Sequence, residues 1–378
     1  MTSISHIGLI ALDKAPEQFI LSVLKGGKHS AKDDLPPGLL SGEVFWHDVL
    51  VAAVREGVFY PFYKGLLASD HPRSIIPESI RERYRQTYYL HAAKSSVSRF
   101  QVSRVLSCLE SRTIDVLLFK GPAVDSAIYD DFMRPRLDID IAARDFDMAA
   151  LEEALCENGY KAPSDPAAYP LPEYLNSRLF VPVAEDLVPV HVHRHLINNM
   201  FLTVDNMPCL DMGKVWQETV AFRDYRHIRA LKPEMNILFL CEHALKHDFD
   251  QLVYLYEIGQ LMSVYRRVFD WQKLRALADG SGLGRAVYCS LYLVKKFFDG
   301  DIPAEGIEAF KPSLLTRGEK KFLGNALALR RSRYASFSVY LAMRRGILRK
   351  IYFTFRTVFP PHFGFRSYLE RIRKAIKR

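Results

Sequence analysis

The hydrophobic period of this chain changes at Ile114, and that change limits the folds open to it. Before it, apolar residues recur every three or four positions, as in 42–56 and 77–110, which predicts helices. Ile114-Asp115-Val116-Leu117-Leu118-Phe119 is instead a short β-branched and aromatic run, the pattern of a buried strand. Lys120-Gly121-Pro122 ends it, and 123–129 has the length of a short helix. Leu137-Asp138-Ile139-Asp140-Ile141 alternates strictly and predicts a second strand. A helix over 148–158 closes at Gly159, and 179–183 with 187–193 form a hairpin pattern. After Pro233 the helical period returns in 234–247, 251–265, 271–278 and 285–298. The sheet-forming island is therefore 112–195.

Such a pattern predicts an α+β protein, with a small mixed sheet flanked by largely helical N- and C-terminal segments. The expected division is a helical region over 1–111, an α/β core over 112–205, a helical domain over 206–329 and a basic arm over 330–378. At 49% apolar and 25% charged residues, the chain can build a core and is not a disordered class. Its five cysteines are scattered without a CxxC pair, which excludes a disulfide scaffold or zinc ribbon and fits a reducing compartment. No leader pattern and no apolar stretch of about 18 residues is present. The expected place is the cytoplasm, with a peripheral site at the inner face of the membrane as the variant that the basic arm allows.

Asp138 and Asp140 stand two apart on the predicted strand, so both carboxylates share a face while Leu137, Ile139 and Ile141 enter a core. Two like charges on one rigid face repel unless a cation bridges them, and a hard divalent ion is the natural bridge. A solvated edge strand is the plainer alternative. Seventeen positions before Asp138, a buried strand ends in Lys120-Gly121 just ahead of a helix. Glycine lets the backbone approach a phosphate, the helix start offers N–H donors, and Lys120 adds positive charge. Arg134 and Arg136 can hold a triphosphate or the substrate. A phosphate cradle facing a carboxylate metal site is the equipment of phosphoryl or nucleotidyl transfer.

Other patterns carry less. His191, His193 and His195 alternate on a strand, either as a transition-metal face or as a polar strand end. His243 and His247 share a helix face with Lys246 nearby, but the spacing is not HExxH. Lys25-Gly26-Gly27-Lys28 is not a P-loop, and Gly280-Ser281-Gly282-Leu283-Gly284 follows a helix rather than a strand, so it is not a dinucleotide fingerprint. No GxSxG elbow supports a hydrolase triad.

Leu118-Phe119-Lys120-Gly121, Tyr129 and Arg134-Pro135-Arg136-Leu137-Asp138-Ile139-Asp140-Ile141 resemble the uncharacterised nucleotidyltransferase family of the DNA polymerase β-type superfamily. The likeness continues through His191-Val192-His193, the helix with His243, Lys246 and His247, Asp270-Trp271 and Gly284-Arg285-Ala286-Val287-Tyr288, over roughly residues 40–305. It implies a nucleotidyltransferase sheet with helices on one face. Asp138 and Asp140 would bind Mg²⁺, or Mn²⁺, carrying an NTP, and an acceptor oxygen would displace pyrophosphate. The acceptor class is a small molecule, a saccharide or a protein. Lys120, Gly121, Arg134, Arg136, His243, Lys246 and His247 are the implied phosphate or substrate contacts. The superfamily's third carboxylate falls at His191, which brings no negative charge and prefers softer ions; Glu185 or Asp186 would replace it if the hairpin register differs. Gly121-Pro122 also stands where the superfamily has Gly-Ser.

From Arg330 onward there are fourteen Lys or Arg and one acid, Glu370, so the net +9 of the chain hides an acidic body and a basic arm. In 346–359 and 367–378 basic residues are interleaved with apolar and aromatic ones. That suits an anionic membrane surface, nucleic acid phosphates, or an arm packing its apolar face on the body. A nucleotide-binding protein of the same fold without turnover, and an adaptor working through 330–378, are the alternatives to an enzyme.

Overall fold

Val116 and Leu118 enter one apolar core and Leu117 and Phe119 another, and all four are fully buried. A strand dry on both faces needs a covering layer on each, and the computed structural model has both. It describes residues 14–25, 42–68, 76–129, 138–162, 177–184, 187–197, 210–300, 302–330 and 334–358.

The strands are β1 (Val116–Leu118), β2 (Ile139–Ala143), β3 (Tyr160–Lys161), β4 (Ser177–Pro182), β5 (Val190–His193), β6 (Thr219–Ala221) and β7 (Ile228–Leu231). They form one mixed sheet in the order β3-β4-β5-β2-β1-β7-β6. β1 runs antiparallel to β2 and parallel to β7, while β2 runs parallel to β5. The predicted hairpin is β4 against β5. β6 and β7 lie in a stretch expected to be helical. They are only three and four residues long, too short for a periodic signal, and β7 gains its strand character by pairing with β1.

Among the described residues the first helices are α1 (Ala15–Leu24), α2 (Glu43–Arg55) and α3 (Phe59–Ala68). They close around Phe19, Trp46 and Phe62, with near-perpendicular ring contacts. The long α4 (Glu78–Ser111) follows. Its C-terminal half carries Val102, Val105, Leu106 and Leu109 on one stripe, which covers one sheet face. After β1 comes α5 (Pro122–Ile128), and after β2 comes α6 (Met148–Glu157), whose Leu151 and Leu155 join the same layer. α7 (Met212–Gln217) precedes β6.

The other sheet face is covered by the helical half. Its helices are α8 (Pro233–Lys246), α9 (Leu252–Tyr265), α10 (Trp271–Ser281), α11 (Gly284–Phe298), α12 (Ala304–Glu308) and α13 (Arg317–Leu327). Phe119 packs edge-on against Phe239 of α8 at 5.2 Å between centroids. The sheet is thus covered on both faces, a correction to the one-sided arrangement that the family resemblance implied. The boundaries of α8 to α11 follow local signals. Asp270 caps α10 by accepting from the Gln272 and Lys273 amides, and Gly282 closes it at φ +72°. The arm contributes α14 (Phe337–Ala342) and α15 (Ile347–Val358). No helix among the described residues is long and apolar enough to cross a membrane.

Candidate functional site

The turn after β1 is built from its sequence. Gly121 is the N-cap of α5 at φ +50° and ψ −110°, a conformation closed to residues with a Cβ. Pro122 then supplies the first helical φ. Lys120, just before this glycine, is aimed across the sheet toward β2. Ile139 and Ile141 enter the core shared with α4 and α6, and Ala142 enters the other. Strand alternation puts Asp140 on the side of Ala142 and of α8.

Parallel pairing sets Asp140 level with His191 of β5 and Ala142 level with His193. Three groups converge on Asp140 Oδ1: Lys120 Nζ at 3.1 Å, His193 Nε2 at 2.8 Å and His191 Nδ1 at 3.6 Å. A carboxylate only accepts, so His193 donates from Nε2 and its unprotonated nitrogen is Nδ1. That Nδ1 is buried with no hydrogen-bond partner. On the far side of His191, Nε2 lies 2.9 Å from Ser177 Oγ of β4. The His191 and His193 rings are 4.1 Å apart, and Phe119 meets His193 edge-on at 5.1 Å.

Burial alone would raise the carboxyl pKa of Asp140. The hydrogen bond from His193 and the charge of Lys120 outweigh it and hold the group well below the ordinary range. Burial pulls His191 down to about 4, helped by His193 and Lys120 and opposed by Asp140. Burial likewise lowers His193. At neutral pH the site is therefore one carboxylate anion and two neutral imidazoles, the protonation states that ligate metals.

Asp140, His191 and His193 each offer a ligand atom, and these atoms lie within 4.8 Å of one another. The residues fit a divalent cation by both geometry and charge. A set with two nitrogens suits Mn²⁺ or a later transition ion better than Mg²⁺. In the structure the ammonium of Lys120 supplies the positive charge beside Asp140.

The C-terminal end of α8 brings up a second group. His243 and His247 sit one turn apart, 4.6 Å between centroids, and Tyr254 of α9 stacks on His247 at 5.3 Å. Burial, with the charges of Lys120, His247 and Lys246, lowers His243 strongly. His247 falls to about 4 through burial first and Lys246 and Lys120 next. Lys246 is lowered by burial, with Glu242 opposing. Lys120 acts on all three, so they belong to the same electrostatic neighbourhood.

The structure thus brings together Lys120, Gly121, Asp140, His191, His243, Lys246 and His247 among the expected residues. Asp138 stands half-buried directly before β2 and is outside the Asp140–His191–His193 ligand set. Around Asp140 the structure gathers two imidazoles and an ammonium. Arg134, Arg136, Glu185 and Asp186 lie outside the described residues. His195 belongs elsewhere: its Nδ1 accepts from the Ile197 amide at 3.0 Å and its Nε2 donates to the Leu210 carbonyl at 2.8 Å. The metal and phosphate contacts implied by the family likeness omitted His193, named as a ligand only in the alternating histidine face, and Ser177. His193 shares strand parity with His191, which is a legible signal; Ser177 has none, since only the hairpin register delivers it.

No curated protein and no solved structure matches the chain. The family model described as uncharacterised nucleotidyltransferase matches residues 42–299, a span holding the sheet, the Asp140 cluster and α8 to α11. The chain belongs to this nucleotidyltransferase family.

Proposed function

We propose that the protein moves a nucleoside monophosphate from an NTP to an acceptor oxygen on a small molecule, a saccharide or a protein. The observation that carries this reading is the buried meeting of ionised Asp140 with neutral His191 and His193 beside the Lys120-Gly121 turn. Asp140, His191 and His193 would hold a divalent ion, with Asp138 at the entrance to the strand. Such an ion would supply positive charge to the transferring phosphoryl group.

The chain's own groups supply the rest. Lys120 would contact a phosphate oxygen, and the Gly121 turn would admit the phosphate to the backbone. Arg134 and Arg136 are assigned to the same anion, and His243, Lys246 and His247 to the substrate wall. His191 takes the third position, as ligand or as acceptor of the attacking group's proton; its low pKa favours the ligand role.

Thermal unfolding with each NTP and Mg²⁺ or Mn²⁺ tests this. Ligand at about 100 times its dissociation constant adds roughly 2.7 kcal/mol. The shift is expected to require metal, to be larger with Mn²⁺ and to vanish in Asp140→Asn. No shift with any pair, in a folded protein, overturns the reading. Label transfer from α- rather than γ-labelled ATP separates nucleotidyl from phosphoryl transfer. A second reading, nucleotide binding without turnover, is favoured by a histidine rather than an acid standing level with Asp140. It predicts the thermal shift without label transfer.

A further inference from the structure

α15 is mounted with its apolar side outward. At 100° per residue, Ile347, Val358, Ile351, Phe355, Leu348 and Tyr352 fill an arc of about 140°. All six are exposed, Ile347 at 70%, Leu348 at 78% and Ile351 at 58%. The helix is attached through another side: Phe353 is fully buried, stacks on Phe337 at 5.2 Å and lies 3.8 Å beneath the Arg344 guanidinium. Other apolar residues of the arm do pack on the body, since Val339, Tyr340 and Phe353 are buried in the core, so the outward face is that of the α15 arc. Arg349 and Arg356 border the arc on one side and Lys350 on the other, and α15 contains no acid.

The geometry points to α15 as a surface helix that docks on an anionic lipid bilayer, its apolar arc in the acyl boundary and its arginines and lysine at the headgroups. Three features choose this occupant. An apolar strip edged by cations matches an apolar slab beneath an anionic plane. Pairing with a second copy of the helix would set its basic borders against each other with no acid to offset them. Nucleic acid would satisfy the cations and leave the apolar arc in water. The bias of the whole arm, fourteen basic residues to one acid from Arg330 onward, adds attraction of the same sign.

Vesicle flotation of the full chain tests it, with phosphatidylcholine alone and with a phosphatidylcholine–phosphatidylglycerol mixture. The protein is expected to float with the mixed vesicles at least about tenfold better than with the neutral ones, and less well at high salt. Leu348→Glu with Ile351→Glu should abolish flotation at an unchanged Tm, because both side chains are exposed in the folded protein. Absence of flotation by the wild type overturns the proposal. So does flotation that survives the double substitution, which would leave only arm charge at work. Tight binding of an oligonucleotide duplex without vesicle binding assigns the arm to nucleic acid. A dimer in sedimentation, dissolved by the double substitution without vesicle binding, assigns the arc to a second copy.

Discussion

The two ends of β1 each carry an aspartate held by a cationic side chain and by histidine. At one end Asp115 holds Arg144 and His227, each at 2.9 Å. At the other Asp140 holds Lys120 at 3.1 Å and His193 at 2.8 Å. Antiparallel pairing of β1 with β2 builds both, because it sets residues flanking one strand beside those of the other. Water separates them: the Asp115 side chain is 33% exposed and that of Asp140 only 7%. Around Asp115, solvent screens each charge and the pairs contribute little. Around Asp140 the charges have only one another, so removal of one leaves the rest uncompensated. An aspartate with a cation and histidine makes a solvent-screened contact in one place and a buried cluster of candidate metal ligands in the other.

The largest effect should come from substituting each acid in turn. Asp140→Asn is expected to cost about 3 kcal/mol in urea unfolding, and Asp115→Asn less than about 1 kcal/mol. Equal losses would break the comparison. Gly121→Ala places a Cβ at φ +50° and should cost about 1–2 kcal/mol; an unchanged denaturation midpoint would mean that the turn relaxes.

Titration sharpens the buried side further. His247 has a folded pKa of about 4 against 6.5 unperturbed, so below 6.5 the unfolded chain takes up the proton first. Stability is then full above pH 6.5 and lost as pH falls toward 4, by about 1 kcal/mol at pH 5.5. His247→Gln should flatten that slope in thermal melts, and an unaltered slope would assign it to other groups. The smallest effect is that of Ser177→Ala, about 0.5–1 kcal/mol, with metal affinity lowered about tenfold because His191 loses its orienting hydroxyl. Calorimetric titration with Mn²⁺ would detect that loss, and unchanged affinity would make Ser177 a bystander.

Much of this architecture was readable locally. The strand of Val116 to Leu118, its stop at Lys120-Gly121, the alternation around Asp140 and helices α8 to α11 all follow from period and punctuation. β6 and β7 escaped because three or four residues carry no period. β7 is a strand because it pairs with β1, more than a hundred residues earlier, and β6 because it pairs with β7. Asp138 and Asp140 share strand parity, whereas the histidine level with Asp140 is supplied by the pairing of β2 with β5. His193 was visible as a partner of His191 by parity. Its hydrogen bond to Asp140 required the parallel register of β2 with β5, which is a long-range property.

The chain by itself determined what its residues can do nearby: alternate, cap, turn at a glycine, and present an apolar arc edged by basic residues. Tertiary structure decided what those features meet. It buried one acid with two imidazoles and left its counterpart partly exposed, and it turned the apolar arc of α15 away from the body. The reason is physical. Backbone propensity acts over a few residues, whereas dielectric environment and strand register are set only when distant segments exclude water together.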